Sequence, residues 1–161
     1  MDPRVAPLAE ILRLNTRLFH NCLDGLSEEQ ADVRPSGATN SAGFVGAHVA
    51  DSRYFLLRLL GAARENPLAA ALDGARGIDD LASRPLLAAV TAAWHAAAQA
   101  LDERLATIGA AELDAPSEAR FPVADRTVLG ALAFLVQHDS YHVGQLALLR
   151  KYAGLPAMRY R

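Results

Sequence analysis

The 161-residue sequence contains very little cysteine and no long apolar run. Cys22 is the only cysteine, so an internal disulfide is excluded. Uninterrupted apolar stretches extend over only a few residues, whereas a transmembrane helix needs about 20. The N-terminal residues MDPRVAPLAE lack the cationic start and the apolar core of a signal peptide. We therefore expect a cytoplasmic protein with no membrane partner.

An excess of charge of one sign is also missing. The formal net charge is −2, and the isoelectric point is about 6.2. The basic residues are almost all arginine, and they are scattered along the chain. Proteins that bind nucleic acids usually concentrate positive charge on one face. The charge pattern therefore predicts no nucleic-acid partner.

Residues that favour β-strands are scarce. Ile, Val and Thr total 17, whereas the chain contains 33 Ala and 25 Leu. Ala and Leu favour helices, and β-branched residues favour strands. The composition therefore predicts an all-α fold. The length is typical of one domain, which we expect to span residues 1–161.

Apolar residues recur at helical spacing in four long segments. The first predicted helix begins after Pro7, and Ser27 and Gln30 then have the spacing of a capping box. The second helix is predicted from Asn40 or Ser41 to Gly61. The apolar face of the first helix comprises Leu8, Ile11, Leu12, Leu18, Phe19, Cys22 and Leu26.

The second half of the chain predicts two more long helices. Pro85 suits the first turn of a third helix that Ser83 would cap and that closes at Gly109. The fourth helix begins at Asp125 or Thr127 and ends before Gly154 and Pro156. Together, the four segments predict a four-helix bundle.

The fourth predicted helix carries the most informative pattern. Steps of three and four residues along one face give an apolar stripe whose middle positions are His138, His142 and Gln145. Three consecutive polar residues are unexpected on a core-facing stripe. Histidines at positions i and i+4 lie on the same face, so both could reach one metal ion. The whole stripe comprises Val128, Ala131, Leu135, His138, His142, Gln145, Leu149 and Tyr152.

His48 shows the same anomaly in the second helix, because it shares a face with Phe44 and Phe55. Three imidazoles from two helices could form a metal site with open positions for water or substrate. A single inward histidine is more often a hydrogen-bonded structural residue, and an HxxxH pair alone is a weak motif. Three together favour a metal site. We expect the other two histidines, His20 and His95, to be exposed to solvent.

Three segments of the chain resemble those of one family. HDSYHVGQLALLRKYAGLP (138–156) resembles the HxxxHxGQ signature of the DinB-like superfamily of metal-binding bundles. NSAGFVGAHVADSRYFL (40–56) resembles its second-helix motif, and LSEEQADVRP (26–35) resembles its link between the first two helices. The resemblance implies metal ligands at His48, His138 and His142. It also implies a long crossover between the second and third helices, for which residues 61–84 are long enough.

The resemblance further implies a reaction class, because relatives include thiol-dependent transferases and isomerases. A His₃ site suits Zn²⁺ and Ni²⁺ and also accepts Fe²⁺. Such an ion holds a coordinated thiol as thiolate and lowers the pKa of bound water. Cys22 lies on an apolar helical face and is not expected to be the nucleophile. HDSYH lacks the glutamate that follows the first histidine in zinc peptidases, which argues against that mechanism.

Several residues around the histidines have open roles. Asp51 could orient His48, could act on a ligand of the metal, or could be a surface charge. Gln145 could hydrogen-bond an imidazole or a ligand of the metal, and we favour support of the imidazole. Tyr141 and Tyr152 could line a pocket. Four basic residues near the C-terminus could receive an anionic substrate or complement the helix dipole; they are Arg150, Lys151, Arg159 and Arg161.

Two functions remain open. The first is a metal-dependent thiol S-transferase or related hydrolase that acts on small molecules, including a low-molecular-weight thiol. The second is a non-enzymatic metal-binding module of a stress response. Haem binding is weaker, because histidines one turn apart on one helix cannot flank a porphyrin. The Ala-rich third helix permits close helix contact, and family members often dimerise, so we expect a homodimer.

Overall fold

The computed structural model describes residues 1–75, 77–81 and 83–160. Within them, no β-strand forms, and one isolated bridge joins Pro116 and Thr127. No helix in these ranges combines the length and the apolar character needed to cross a bilayer. The long helices are α1 (Ala6–Leu23), α3 (Ala42–Leu59), α5 (Leu87–Thr107) and α7 (Val128–Tyr152). The short ones are α2 (Glu28–Ala31), α4 (Ala69–Leu72), a 3₁₀ turn (Ile78–Asp80) and α6 (Ala110–Leu113).

The four long helices form a bundle in which α1 and α3 each pack against both α5 and α7. The order around the bundle is therefore α1, α5, α3, α7. The seam between α3 and α7 lies opposite the seam between α1 and α5. The all-α four-helix bundle that the sequence predicted is confirmed.

Helices α3 and α5 run in the same direction. The Tyr54 hydroxyl donates to the Ala93 carbonyl (3.2 Å), and further along Arg104 Nε donates to the Leu60 carbonyl (2.6 Å). Parallel neighbours need a connection that returns along the whole bundle. The chain between α3 and α5, which includes α4 and the 3₁₀ turn, is this predicted crossover.

Local sequence signals set most helix starts. Ser41 Oγ accepts from the Phe44 N–H (3.3 Å), and Thr127 Oγ1 accepts from the Gly130 N–H (3.4 Å). The predicted capping box is present, since Ser27 and Gln30 exchange hydrogen bonds of 3.1 and 3.0 Å. Each cap satisfies a backbone donor that the first helical turn leaves free.

The predicted start of the third helix is wrong. Helix α5 begins at Leu87 with Leu86 at the N-cap position, so Ser83 caps nothing and Pro85 precedes the helix. The first free N–H, that of Leu87, donates instead to Glu28 Oε1 of α2 (3.0 Å). A carboxylate from a distant part of the chain therefore takes the place of a local cap.

The core lies between the four long helices and is centred on aromatic and aliphatic side chains. Phe19 and Trp94 are fully buried, and their rings stack with centroids 4.1 Å apart. Two residues of the predicted apolar faces are not part of it, because Ile11 and Tyr152 are exposed. Each lies at the edge of its helix's buried stripe, where a small rotation of the helix turns the side chain to solvent.

Candidate metal centre

Facing positions on α3 and α7 bring three histidines together. His48 Nε2 lies 3.3 Å from His138 Nε2, which lies 3.0 Å from His142 Nε2. All the candidate ligand atoms of the triad lie within 4.8 Å of one another. The three side chains that the sequence analysis singled out therefore converge.

The spacing of these nitrogens fits one metal ion. Two nitrogens bound to Zn²⁺ at about 2.0–2.1 Å in tetrahedral geometry lie about 3.3–3.4 Å apart. The observed separations of 3.3 and 3.0 Å need only small adjustments to reach this value. Three ligands would leave a fourth position open, which is the arrangement of catalytic zinc sites.

The surroundings keep the imidazoles in the form that binds metals. Burial and then the neighbouring imidazoles His142 and His48 lower the pKa of His138 to about 4. Burial also lowers the pKa of His142 and the pKa of His48. The negative charge of Asp51 raises the pKa of His48 and so partly opposes the effect of burial on that residue. Neutral imidazole, with a free lone pair, is the ligand form at neutral pH.

The side chain of Gln145 is hydrogen-bonded to the imidazole of His142. Gln145 Oε1 lies 2.7 Å from His142 Nδ1, and Gln145 Nε2 donates to the Tyr141 hydroxyl (3.2 Å). With the amide in this orientation, Nδ1 of His142 carries the proton. Its Nε2 lone pair then faces the centre of the triad, which is how an outer hydrogen bond prepares a metal-binding histidine.

His138 has no such support. Its Nδ1 is buried and has no hydrogen-bond partner among the described residues. The ring of Phe134 lies at a centroid distance of 6.4 Å from that of His138, and Phe121 stacks on Phe134 at 4.6 Å. An unpaired buried nitrogen costs about 1–3 kcal/mol.

A buried ion pair that was not predicted from the sequence lies directly beside the triad. Arg53, on α3, donates to Asp139, the residue after His138 on α7. The helical periodicity of apolar residues in α7 indicates that Asp139 is buried. Asp139 is the centre of a buried stripe with three- and four-residue steps, which comprises Leu132, Val136, Asp139, Val143 and Leu146. The histidines lie on the adjacent, half-buried stripe at the margin of the core.

Among the described residues, Asp51 is hydrogen-bonded to the crossover rather than to a histidine of the triad. Its Oδ1 accepts from Asn66 Nδ2 of the crossover (2.6 Å). Its negative charge nevertheless acts on His48, whose pKa it raises against the effect of burial. Asp51 therefore links the crossover to the helix that carries His48.

A groove of about 340 Å³ lies next to Gln145, between α7, the start of α3 and the loop before it. Leu148 and Tyr152 at its side are 56% and 59% exposed. The described residues that line the groove carry no formal charge; they are Pro35, Ala38, Thr39, Asn40, Val45, Gln145, Leu148, Leu149 and Tyr152. This size and character suit part of a small neutral molecule.

Arg150, one of the basic residues near the C-terminus, makes its described hydrogen bonds with backbone carbonyls outside the triad. The Arg150 guanidinium donates to the carbonyls of Pro156 (2.8 Å), Cys22 (3.2 Å) and Asp24, so it holds the C-terminal segment on α1. Lys151 and Arg159 are exposed, and Arg161 lies outside the described residues.

The predicted burial of Cys22 on an apolar helix face and the predicted exposure of His20 and His95 are confirmed. Cys22 is fully buried, and burial raises the pKa of its thiol to about 11, so it is a poor nucleophile at neutral pH. His20 and His95 are both exposed.

Fold and site together define an all-helical bundle with a three-histidine cluster between two facing helices. Residues 11–146 match the sequence profile of the DinB superfamily, and the chain belongs to that superfamily. The resemblance found in the sequence is thereby confirmed. A crystal structure of a conserved protein from Enterococcus faecalis is similar, with a TM-score of 0.72 and 16% sequence identity. The match covers 92% of this chain and 96% of that one, and at this identity it shows the fold. No curated protein matches the chain.

Proposed function

We propose that the chain binds one divalent transition-metal ion through His48, His138 and His142 and acts as a thiol S-transferase or a related hydrolase on small molecules. The observation that carries the proposal is the convergence of three Nε2 atoms at 3.0 and 3.3 Å. Zn²⁺ and Ni²⁺ suit this donor set best, and Fe²⁺ is compatible with it.

The chemistry needs a metal with room for a further ligand. When bound, such an ion lowers the pKa of a coordinated thiol or water and so supplies a nucleophile at neutral pH. In the transfer reaction, the thiol sulfur bonds to an electrophilic carbon, the thiol proton goes to solvent, and the leaving group departs with its bonding electrons. Family membership favours the thiol over water.

The chain's own residues would bind and orient the substrates. Gln145 holds the imidazole of His142 and connects the triad to the adjacent groove. Because that groove is uncharged and partly apolar, we propose that it receives the body of a neutral electrophile. The Tyr141 hydroxyl accepts from Gln145, so its own proton is free to donate to a substrate oxygen.

The test is metal-dependent turnover. Tag-free protein is stripped with a chelator and reloaded with Zn²⁺ or Ni²⁺, and consumption of glutathione, cysteine or mycothiol is followed with a neutral aryl halide. We expect turnover only after reloading, and its loss in His142→Leu but not in Gln137→Leu, an exposed position on the same helix. Absence of turnover over a broad thiol and ester panel, with metal bound, would contradict the enzyme.

The groove has its own test. Leu148→Glu places a charge in the groove without touching a candidate ligand. We expect a higher KM for the neutral electrophile with an unchanged affinity for the metal. A KM unchanged from that of the wild type would remove the groove from the proposal.

A non-enzymatic metal-binding module is the second candidate. One observation favours it: the triad joins α3 to α7, so an ion would cross-link two helices of the bundle. In that case bound metal would raise the melting temperature of the protein, but no substrate would be turned over.

We also propose a homodimer. The exposed face of α5 includes the small residues Ala88, Ala89, Ala92 and Ala96, which would permit close approach of a second copy. Sedimentation at the mass of one 17.2 kDa chain would contradict the dimer.

A further inference from the structure

Two exposed histidines lie together on the side of the bundle opposite the triad. The ring centroids of His20 on α1 and His95 on α5 are 5.8 Å apart, and the ring planes are tilted by 52°. Within the triad, the centroid distances range from 4.3 to 5.2 Å. The rings of the exposed pair are therefore only slightly further apart than the rings of the triad, whose Nε2 atoms converge.

The buried residues directly beneath this pair fix its spacing. Phe19 precedes His20 and Trp94 precedes His95, and the rings of Phe19 and Trp94 stack in the core at 4.1 Å. The backbone at the two histidines is therefore held at a constant distance. Only the exposed side chains need to rotate to bring one nitrogen from each within ligating distance, and such rotations take picoseconds to nanoseconds.

We propose that His20 and His95 form a second metal site, which binds Cu²⁺, Ni²⁺ or Zn²⁺ through one nitrogen of each ring. Imidazole suits these ions, and Cu²⁺ binds most tightly in the general affinity order.

This site is weaker than a three-histidine site, because it has one ligand fewer and must order two free side chains. It joins α1 to α5, whereas the triad joins α3 to α7. The proposal does not depend on the triad or on the groove, because it shares no residue with either.

The histidine content of the chain makes the experiment simple. The sequence has five histidines, so removal of the triad leaves only this pair. Tag-free wild type is titrated with Cu²⁺ and with Ni²⁺ by calorimetry, and we expect a tight and a weaker class of site. His20→Ala and His95→Ala should keep the tight class and weaken the other at least about tenfold, since even residues that only support a ligand cost about 10–100-fold.

Two controls complete the design. Gln99→Ala, an exposed change one turn from His95, should keep both classes. The variant H48L/H138L/H142L should keep only the weaker class. If this variant fails to fold by circular dichroism, the comparison of wild type with His20→Ala decides the question.

Three results would overturn the proposal. The first is a wild type in which the weaker class is absent. The second is an unchanged weaker class in both His20→Ala and His95→Ala. The third is a weaker class that appears only as the chains associate at higher protein concentration, because the ion would then bridge two molecules. A wild type that shows only the weaker class would contradict the triad site and would still support the site at His20 and His95.

Discussion

Arg53 and Asp139 form an ion pair, 1% and 2% exposed, that connects the two helices of the triad. Arg53 Nε and Nη2 donate to Asp139 Oδ2 at 2.9 and 2.7 Å. The guanidinium also donates to Thr16 Oγ1 of α1 (2.8 Å) and lies 3.4 Å from the ring centroid of Trp94 in α5. One side chain of α3 therefore contacts the other three long helices. It fixes the position of α3 along α7, and with it the nitrogen spacing of the triad.

Removal of one partner of this ion pair should destabilise the fold, because the other partner is left as an unpaired buried charge. Burial raises the pKa of Asp139, and only the charge and hydrogen bonds of Arg53 oppose this. We expect Arg53→Met or Asp139→Leu to lower the free energy of unfolding by about 3–5 kcal/mol. Chemical denaturation measures the change.

The double variant R53M/D139L should regain most of that stability, because an apolar pair can replace a buried ion pair at little or no cost. We expect its triad to be less well positioned. The absorption spectrum of bound Co²⁺ reports coordination geometry and should differ from that of the wild type. A double variant as unstable as the single ones would contradict this account.

His142→Leu should remove the response of the fold to metal. The wild type should gain about 2.7 kcal/mol when free metal exceeds its dissociation constant 100-fold. In melting curves, Zn²⁺ or Ni²⁺ should raise the transition temperature of the wild type, and a chelator should lower it. With metal at a concentration too low to fill the weaker site at His20 and His95, the variant should melt cooperatively at one temperature in both conditions, because leucine suits the half-buried stripe. A variant stabilised by metal as much as the wild type would remove His142 from the site.

Gln145→Leu should weaken metal binding without removing a ligand. The change deletes the acceptor of the His142 Nδ1 proton (2.7 Å), and loss of such a partner typically costs about 10–100-fold in affinity. Competition with a chromophoric chelator measures the change. Gln137→Leu, on the exposed side of α7, is the matched control and should bind metal like the wild type.

Cys22 should resist modification until the pH is high. Its thiol pKa is raised to about 11 because the group is buried, whereas the unfolded thiol titrates near 9. The unfolded state therefore loses its proton first, and stability falls as the pH rises from about 9 to about 11. Reaction with a disulfide reagent at pH 8 should be slow in the native protein and fast in denaturant. In Cys22→Ala, this part of the alkaline loss of stability should be absent.

Glu28→Ala should destabilise the start of α5. The Leu87 N–H would lose its acceptor at 3.0 Å, and loss of a helix cap costs about 0.5–2 kcal/mol. Glu29→Ala, its exposed neighbour in α2, should have a smaller effect. Equal effects in the two variants would mean that the contact contributes nothing beyond local charge.

The sequence predicted the features that depend on residues close together in the chain. The caps at Ser27, Ser41 and Thr127 were readable because donor and acceptor lie within three residues. The three histidines stood out because they interrupt an apolar helical pattern. The Glu28 cap of α5 could not be predicted, since it depends on how α2 packs against a helix more than 50 residues away.

The ion pair of Arg53 and Asp139 was overlooked for a related reason. A single charge in a helix usually faces solvent, and its burial is favourable only when an opposite charge meets it. The partner lies 86 residues away on another helix. The spacing of Asp139 between Val136 and Val143 signalled burial, but its partner emerges only from the packing of the helices.

The crossover has a consequence for the order in which the molecule assembles. His48 and His138 are separated by 90 residues, and α7 is the last long helix of the chain. Contacts so distant in the chain form slowly, because the intervening loop must close first. We therefore expect tight metal capture to report the docking of α7 on α3. In a refolding experiment, the absorption of bound Co²⁺ would follow the docking of α7 over time. Far-ultraviolet ellipticity would follow the earlier formation of the helices.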